Sequence, residues 1–432
     1  MLEARNDLLS KLITPENFYK NPKEIKELRF KAIKAAHKHH FRNNAYYHKM
    51  CKSKDIGEDI TEKDLPQLLI PDKIFKSYPM EFPEDQPLEF KNWLAKVTSV
   101  NIDEIKIEKT SSLEALLAQF YEQGILLGFS SGTTGTLTFL PRDKYTQSML
   151  IKSYVASVDS AVQLNKGKDY FVLGIPEKTF LQVGWNGKNV AEAISPGRVF
   201  YGFGPIKADM IRMRNKGPKN FKEKIINILA GFLLPRLEKN AIKKMVNKLI
   251  ELKGQRVIFL APPFLIVETA RYVLENGINA RLTEDSIVAS TGGFKGRAVT
   301  SREEMNKLIE EAFGISSNHY LDLYGMTESN SIIMECIEAN LKHIPPWKEV
   351  FLFDENLEVI EPDGKTTGRY GFIEPSSTSF PGFILTGDRI TVDWDGCSKC
   401  EKTTPVVLDI GRLPTEEGRG CSGVLAKTVG ES

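Results

Sequence analysis

The stretch Gly128-Phe129-Ser130-Ser131-Gly132-Thr133-Thr134-Gly135-Thr136 decides how the rest of the chain is read. Before it, the apolar run Ile125-Leu126-Leu127 predicts a short buried strand. After Arg142-Asp143, residues 145–163 have a helical pattern. The Gly/Ser/Thr run is therefore expected to be a strand-to-helix loop. Its glycines let the backbone approach an anion closely and adopt positive φ. Its hydroxyls and free N–H groups offer donors without a competing negative charge, as a phosphate loop requires.

Other chemistries are open to the same loop. A Walker A loop needs lysine directly after its last glycine, but Thr136 follows Gly135 and the next lysine is Lys144. Gly128-Phe129-Ser130-Ser131-Gly132 also fits the G-x-S-x-G elbow of serine hydrolases, with Ser130 as nucleophile. That reading needs a downstream histidine, and only His319 and His343 are available. A plain surface turn would have no need of so many hydroxyls.

Outward from the loop, strand-like runs alternate with helical ones. Strands are expected at 170–174, 199–202, 257–260, 287–289 and 320–323, with helices between them such as 264–275 and 302–313. This alternation predicts an α/β fold with a largely parallel sheet covered on both faces, and ligands at the C-terminal strand ends. From about residue 349 the pattern turns to alternating polar and apolar residues around Pro362-Asp363-Gly364, which predicts hairpins of a small β unit at about 349–410.

Composition narrows the class. A net charge of +2 over 432 residues leaves no nucleic-acid footprint, and 41% hydrophobic with 26% charged residues is the balance of a soluble globular protein. No apolar run reaches transmembrane length and the N-terminus lacks the order of a signal peptide, so a cytoplasmic location is expected. Five scattered cysteines argue for free thiols.

Three local features invite interpretation. His37-Lys38-His39-His40 lies in a helical stretch and is expected to form a solvated basic face, because consecutive helical positions point in different directions. The run Ile225 through Leu234 is too short for a membrane span and is read first as a core helix, then as a contact for an acyl chain or a membrane surface. Cys397-Ser398-Lys399-Cys400 is a lone C-x2-C after Asp395-Gly396; without further ligands nearby in sequence it is read as a hairpin turn, and Cys336 and Cys51 as core thiols.

Taken together, the motifs resemble those of the adenylate-forming enzymes. "SSGTTGT" (130–136) is similar to their phosphate loop, so Ser130, Ser131, Gly132, Thr133, Thr134 and Gly135 would bind ATP phosphates. Thr291-Gly292-Gly293-Phe294-Lys295 looks like the adenine loop, with Gly292, Gly293 and Phe294 as contacts. Tyr324-Gly325-Met326-Thr327-Glu328 is similar to Y-G-x-T-E. On this resemblance Tyr324 stacks on adenine, Thr327 bonds the α-phosphate and Glu328 holds Mg²⁺. Asp388, in Thr386-Gly387-Asp388, would accept the ribose hydroxyls, and Gly411-Arg412 resembles the hinge before a mobile C-terminal part. The chemistry suits such a set, since a carboxylate attacking a polyphosphate needs a hard cation to offset repulsion.

Within this superfamily the chain resembles the acyl-protein synthetases of the LuxE type, through "IPDKIFKS" (70–77) and "RGCS" (419–422), and the resemblance covers about residues 25–425. It implies an adenylation domain at 1–410 and a hinge with a short tail at 411–432. Only 20 residues follow Arg412, too few for the superfamily's usual C-terminal domain. Cys421 would then accept the acyl group from acyl-AMP and deliver it to an acyl reductase partner. ATP and Mg²⁺ would be the cofactors and a carboxylic, fatty acid the substrate. A compact acyl- or aryl-CoA ligase is the alternative within the superfamily; a non-catalytic ATP- or acyl-binding module is the alternative outside enzymes.

Overall fold

Alternate residues of each parallel strand are apolar on both sides, so the sheet they form has two buried faces. The computed structural model describes residues 2–131, 136–292 and 299–413. Five parallel strands lie side by side in the order Val199–Phe203, Tyr170–Pro176, Val257–Ala261, Ile287–Thr291 and Tyr320–Tyr324. Val172, Val257, Phe259 and Val288 point into one core, together with Met245, Val246 and Leu249 of the helix Phe221–Glu251. Phe171, Leu173, Ile258, Ile287 and Ala289 point into the other, against Val190, Ala191 and Ile194 of the helix Gln182–Ile194.

The strand Tyr320–Tyr324 is parallel to Ile287–Thr291 but antiparallel to Ile333–Glu335. From there the same sheet continues antiparallel through Lys342–His343, Val406–Arg412, Phe383–Asp393, Lys365–Ile373, Glu349–Phe353 and Val359–Ile360. Gly364, at φ +46°, makes the tight turn expected at Pro362-Asp363-Gly364. Ile70–Pro71 adds to the sheet in parallel beside Phe383–Asp393. The helices Pro22–Asn43 and Ala45–Ser53 cover this half, where Ile33, Ala36, Tyr47 and Cys51 are buried with Phe372, Phe383 and Ile384.

Four expectations need correction. The Gly/Ser/Thr stretch does not pass from strand to helix: Leu126–Ser131 pairs antiparallel with Leu137–Arg142 as a separate hairpin, and the helix Lys144–Val162 begins only after it. Thr138-Phe139-Leu140 are strand formers that cross-pair with Ser130, Phe129 and Gly128, and this pairing wins over a direct entry into the helix. A β-carbon at Gly128 would meet the Gln182 amide, so that side chain would have to shift.

The histidine cluster is no solvated face. His37 and His40 are fully buried. His37 bonds the Tyr47 hydroxyl and the Gly57 carbonyl, both at 2.8 Å, and His40 bonds the Ser99 hydroxyl at 2.8 Å and the Ser377 carbonyl at 3.1 Å. Burial lowers the pKa of both, so each imidazole is held neutral. His39, half-buried, bonds the Thr378 carbonyl.

Residues 225–233 are not core, and only Leu234 of the run is buried. Their 31-residue helix Phe221–Glu251 is about 46 Å long, whereas the strands of five to seven residues beneath it span roughly 17–23 Å, so its first half overhangs. Ile228, Leu229, Phe232 and Leu233 stand exposed, Phe232 at 73%. No helix among the described residues is long and apolar enough to cross a membrane. Finally, Cys397 and Cys400 do not stand alone in their turn: Cys336, buried as expected of a core thiol, and His343 lie beside the pair.

Candidate active site

Where a sheet changes direction, neighbouring loops diverge and leave a crevice at the strand ends. Here a cavity of about 610 Å³ opens at the ends of Ile287–Thr291 and Tyr320–Tyr324. Its mouth is polar, lined by Asp72, Ser130, Gly292, Tyr324, Thr327, Glu328, Asp388 and Arg412. Inward it runs between the sheet and the helix Gln182–Ile194, where Leu173, Val183, Val190, Ile258, Leu260 and Ala289 make the walls apolar.

The sequence-selected residues that the structure describes thus meet in one place. Antiparallel register sets Asp388 directly opposite Arg412, and the guanidinium Nε lies 2.9 Å from its Oδ1. The Tyr324 hydroxyl donates to the other carboxylate oxygen. Burial, and then the charge of Asp388, push the Tyr324 phenol well above its usual pKa, so it remains a donor. Glu328 is nearly buried, and burial together with the facing carboxylate of Asp72 pushes its pKa up to about 7. Two carboxylates brought together in a cavity mouth are oxygen donors of the kind a hard divalent cation takes, and such an ion would relieve the repulsion that raises Glu328. Asp72 comes from the turn Asp72–Lys76, within the "IPDKIFKS" stretch, but was not singled out from sequence.

Ser130 sits in the hairpin strand opposite Thr138, and both reach the cavity. Its hydrolase partners are missing from the site: His343 bonds Thr404 and Cys400, while His319 bonds Ser316. Gly132, Thr133, Thr134, Gly135, Gly293, Phe294 and Cys421 lie outside the described residues, as does the side chain of Ser131.

Two supports of the site were invisible in sequence. Arg142 is fully buried and donates to the Gln182 side chain at 2.7 Å, the Thr327 carbonyl at 2.6 Å and the Asn330 side chain at 3.1 Å. It ties the hairpin to the Tyr324–Glu328 loop. Behind that loop, Glu374 accepts from the Asn330 backbone N–H at 2.7 Å and from the Ser329 and Ser331 hydroxyls, and pairs with the buried Lys348 at 3.2 Å. An arginine closing the apolar run Leu137 to Leu140 was the one available signal for the first; nothing in sequence distinguishes Lys348 and Glu374 from surface charges.

The family profile described as "Acyl-protein synthetase, LuxE" matches residues 236–430. The long-chain-fatty-acid–luciferin-component ligase of Aliivibrio fischeri is 27% identical over 202 residues, which are 44% of this chain and 51% of that protein, so the match spans about half the length of the relative. Among solved structures, 2-hydroxyisobutyryl-CoA ligase with 2-HIB-AMP and CoA superposes at a TM-score of 0.60 with 13% identity, over 93% of this chain and 73% of that one. An open conformation of that enzyme gives 0.58 and 12% over 91% and 75%. The described chain therefore has the fold of 2-hydroxyisobutyryl-CoA ligase, and its residues 236–430 match the LuxE acyl-protein synthetase profile.

Proposed function

We propose that the protein is a ligase that activates a fatty acid with ATP and carries the acyl group on its own cysteine. The observation that carries this reading is the cavity itself, whose polar mouth gathers Glu328, Asp72, Asp388, Tyr324 and Arg412 and whose apolar interior follows the sheet inward. The interior suits a hydrocarbon chain and the mouth a nucleotide. In the first half-reaction a carboxylate oxygen of the acid forms a bond to the α-phosphorus of ATP. The bond to the bridging oxygen breaks, and pyrophosphate leaves with that electron pair.

The chain's own groups prepare this step by position and charge. Asp388, fixed by Tyr324 and Arg412, presents an acceptor suited to ribose hydroxyls. Ser130 and Thr327, with Thr133 and Thr134 of the loop, supply donors to the phosphates. Glu328 and Asp72 would hold Mg²⁺, which when bound offsets the charge gathered between the carboxylate and the polyphosphate. Gly292 and Phe294 would flank the adenine. In the second half-reaction the Cys421 thiolate adds to the acyl carbonyl carbon, AMP departs with the electrons of the mixed-anhydride bond, and a thioester remains. Delivery from there to a reductase partner, and a cytoplasmic setting, complete the reading; the names of the relative and of the family profile support its ligase and acyl-protein steps.

The decisive experiment separates the half-reactions in the full chain. Cys421→Ser is expected to retain fatty-acid-dependent pyrophosphate exchange into ATP while losing hydroxylamine-sensitive labelling by radioactive acid plus ATP. Label that persists in the variant removes Cys421 as acceptor, and turnover that requires coenzyme A makes the protein a CoA ligase instead.

A further inference from the structure

Outside the cavity, three segments far apart in sequence bring together four side chains with metal-binding atoms. Cys336 follows the strand Ile333–Glu335, His343 ends the strand Lys342–His343, and Cys397 and Cys400 lie in the loop between Phe383–Asp393 and Val406–Arg412. Their one nitrogen and three sulfurs all lie within 4.8 Å of one another. A tetrahedral zinc with Zn–S of about 2.3 Å and Zn–N of about 2.0 Å has ligand-to-ligand edges of about 3.5–3.8 Å. The widest edge here would close by about 1 Å, a movement within the reach of side-chain rotation.

We propose that Cys336, His343, Cys397 and Cys400 form a structural zinc site. The orientation of each ligand agrees with that role. His343 turns Nε2 toward the Cys400 sulfur at 3.3 Å, while its Nδ1 lies 3.0 Å from the Thr404 hydroxyl. A neutral imidazole that donates from Nδ1 to Thr404 leaves the Nε2 lone pair for the metal, the arrangement by which an outer partner fixes the tautomer of a ligand. The Lys399 backbone N–H donates to the Cys397 sulfur at 3.4 Å.

Three thiolates, one imidazole and Zn²⁺ leave one negative charge, and the buried Lys402 of the same loop is a nearby cation, its ammonium also 4.0 Å from the Glu338 carboxylate. With four protein ligands the site keeps no open position, so it holds structure and does no chemistry. Its soft sulfur donors also separate it from the oxygen set of Glu328 and Asp72. What it holds is specific: it pins the loop that feeds Val406–Arg412, the strand that carries Arg412 to Asp388. A C-x2-C alone would permit a redox pair, but a third thiol and an oriented imidazole at the same point are what a metal requires.

The test uses the full chain, purified without chelators under reducing conditions. Elemental analysis is expected to find about one zinc per chain, released to a chromophoric chelator by a mercurial thiol reagent. Cys397→Ser with Cys400→Ser should lose it and Cys51→Ser should keep it. Should the double variant not fold, metal-stripped wild type decides: Co²⁺ added at one equivalent is expected to give the visible bands of tetrahedral cobalt and a thiolate charge-transfer band, and His343→Cys to keep both with shifted maxima. Chains without zinc that give no cobalt bands after reduction, or a Cys397–Cys400 disulfide in chains purified under reduction, would overturn the proposal.

Discussion

The two halves of the sheet are held by different physics. In the parallel half, stability comes from apolar area: Val172, Phe259, Val288 and Leu321 are completely buried between helices. In the antiparallel half, polar clusters are buried among the apolar residues: Lys348 with Glu374, Asp388 with Tyr324 and Arg412, His37 against Tyr47, His40 against Phe383, and the cysteine–histidine group. The cavity sits on the seam. The apolar half supplies a rigid wall and a hydrocarbon-lined floor, and the polar half aims charged groups at the mouth. The parallel half buries ion pairs of its own, Asp169 with Arg256 and Glu84 with Arg212. The contrast in pH response is therefore one of degree, while metal dependence should fall on the antiparallel half.

Truncation at the most deeply buried positions tests that contrast with the largest effects. Phe259→Ala is expected to cost about 3–5 kcal/mol through the cavity it leaves. Glu374→Ala is expected to cost a similar amount, about 3–5 kcal/mol, by leaving Lys348 buried without its partner. Chemical denaturation measures both, and a loss below about 1 kcal/mol in either variant would contradict the account of it.

Acid should act on the antiparallel half through its histidines. Burial lowers the pKa of His37 and His40 in the fold, so the unfolded chain binds protons that the native chain refuses. Stability from these groups is complete above the unfolded value of about 6.5 and is lost as pH falls below it, by about 1.4 kcal/mol per pH unit for each histidine still neutral. His40→Gln should reduce the slope of unfolding free energy against pH, measured from 6.5 to 5, by about one proton. An unchanged slope would mean that His40 is charged in the fold. The smallest effect belongs to the overhanging helix: Phe232→Ser, at an exposed position, should change stability by no more than about 0.5 kcal/mol.

The same contrast explains what the sequence disclosed. The parallel strands were legible because residues buried on both faces must be apolar in unbroken runs, as Val257 to Leu260 are. The mouth was legible where its groups lie on short contiguous stretches, as Tyr324 to Glu328 do. The antiparallel half hid its structure because a buried charge looks like a surface charge until its partner is known. Lys348 and Glu374 meet across strands, Arg142 reaches three segments, and His37 and His40 take partners from 47 to 377. Cys336 and His343 join Cys397 and Cys400 only because Lys342–His343 pairs with Val406–Arg412. The hairpin at the Gly/Ser/Thr stretch differs from its sequence reading for a similar reason, since the second strand, ending in Pro141 and Arg142, shows its character only through its pairing.

The central claim, that the cavity on the seam adenylates a fatty acid, meets its most direct test in pyrophosphate exchange into ATP by the full chain across a panel of fatty acids, with Glu328→Gln alongside. The account predicts exchange that requires both an acid and Mg²⁺ in the wild type and falls by at least about 100-fold in the variant, the scale of losing one charge-stabilising group. Exchange near the wild-type rate in Glu328→Gln, or none in the wild type with any acid, would contradict it.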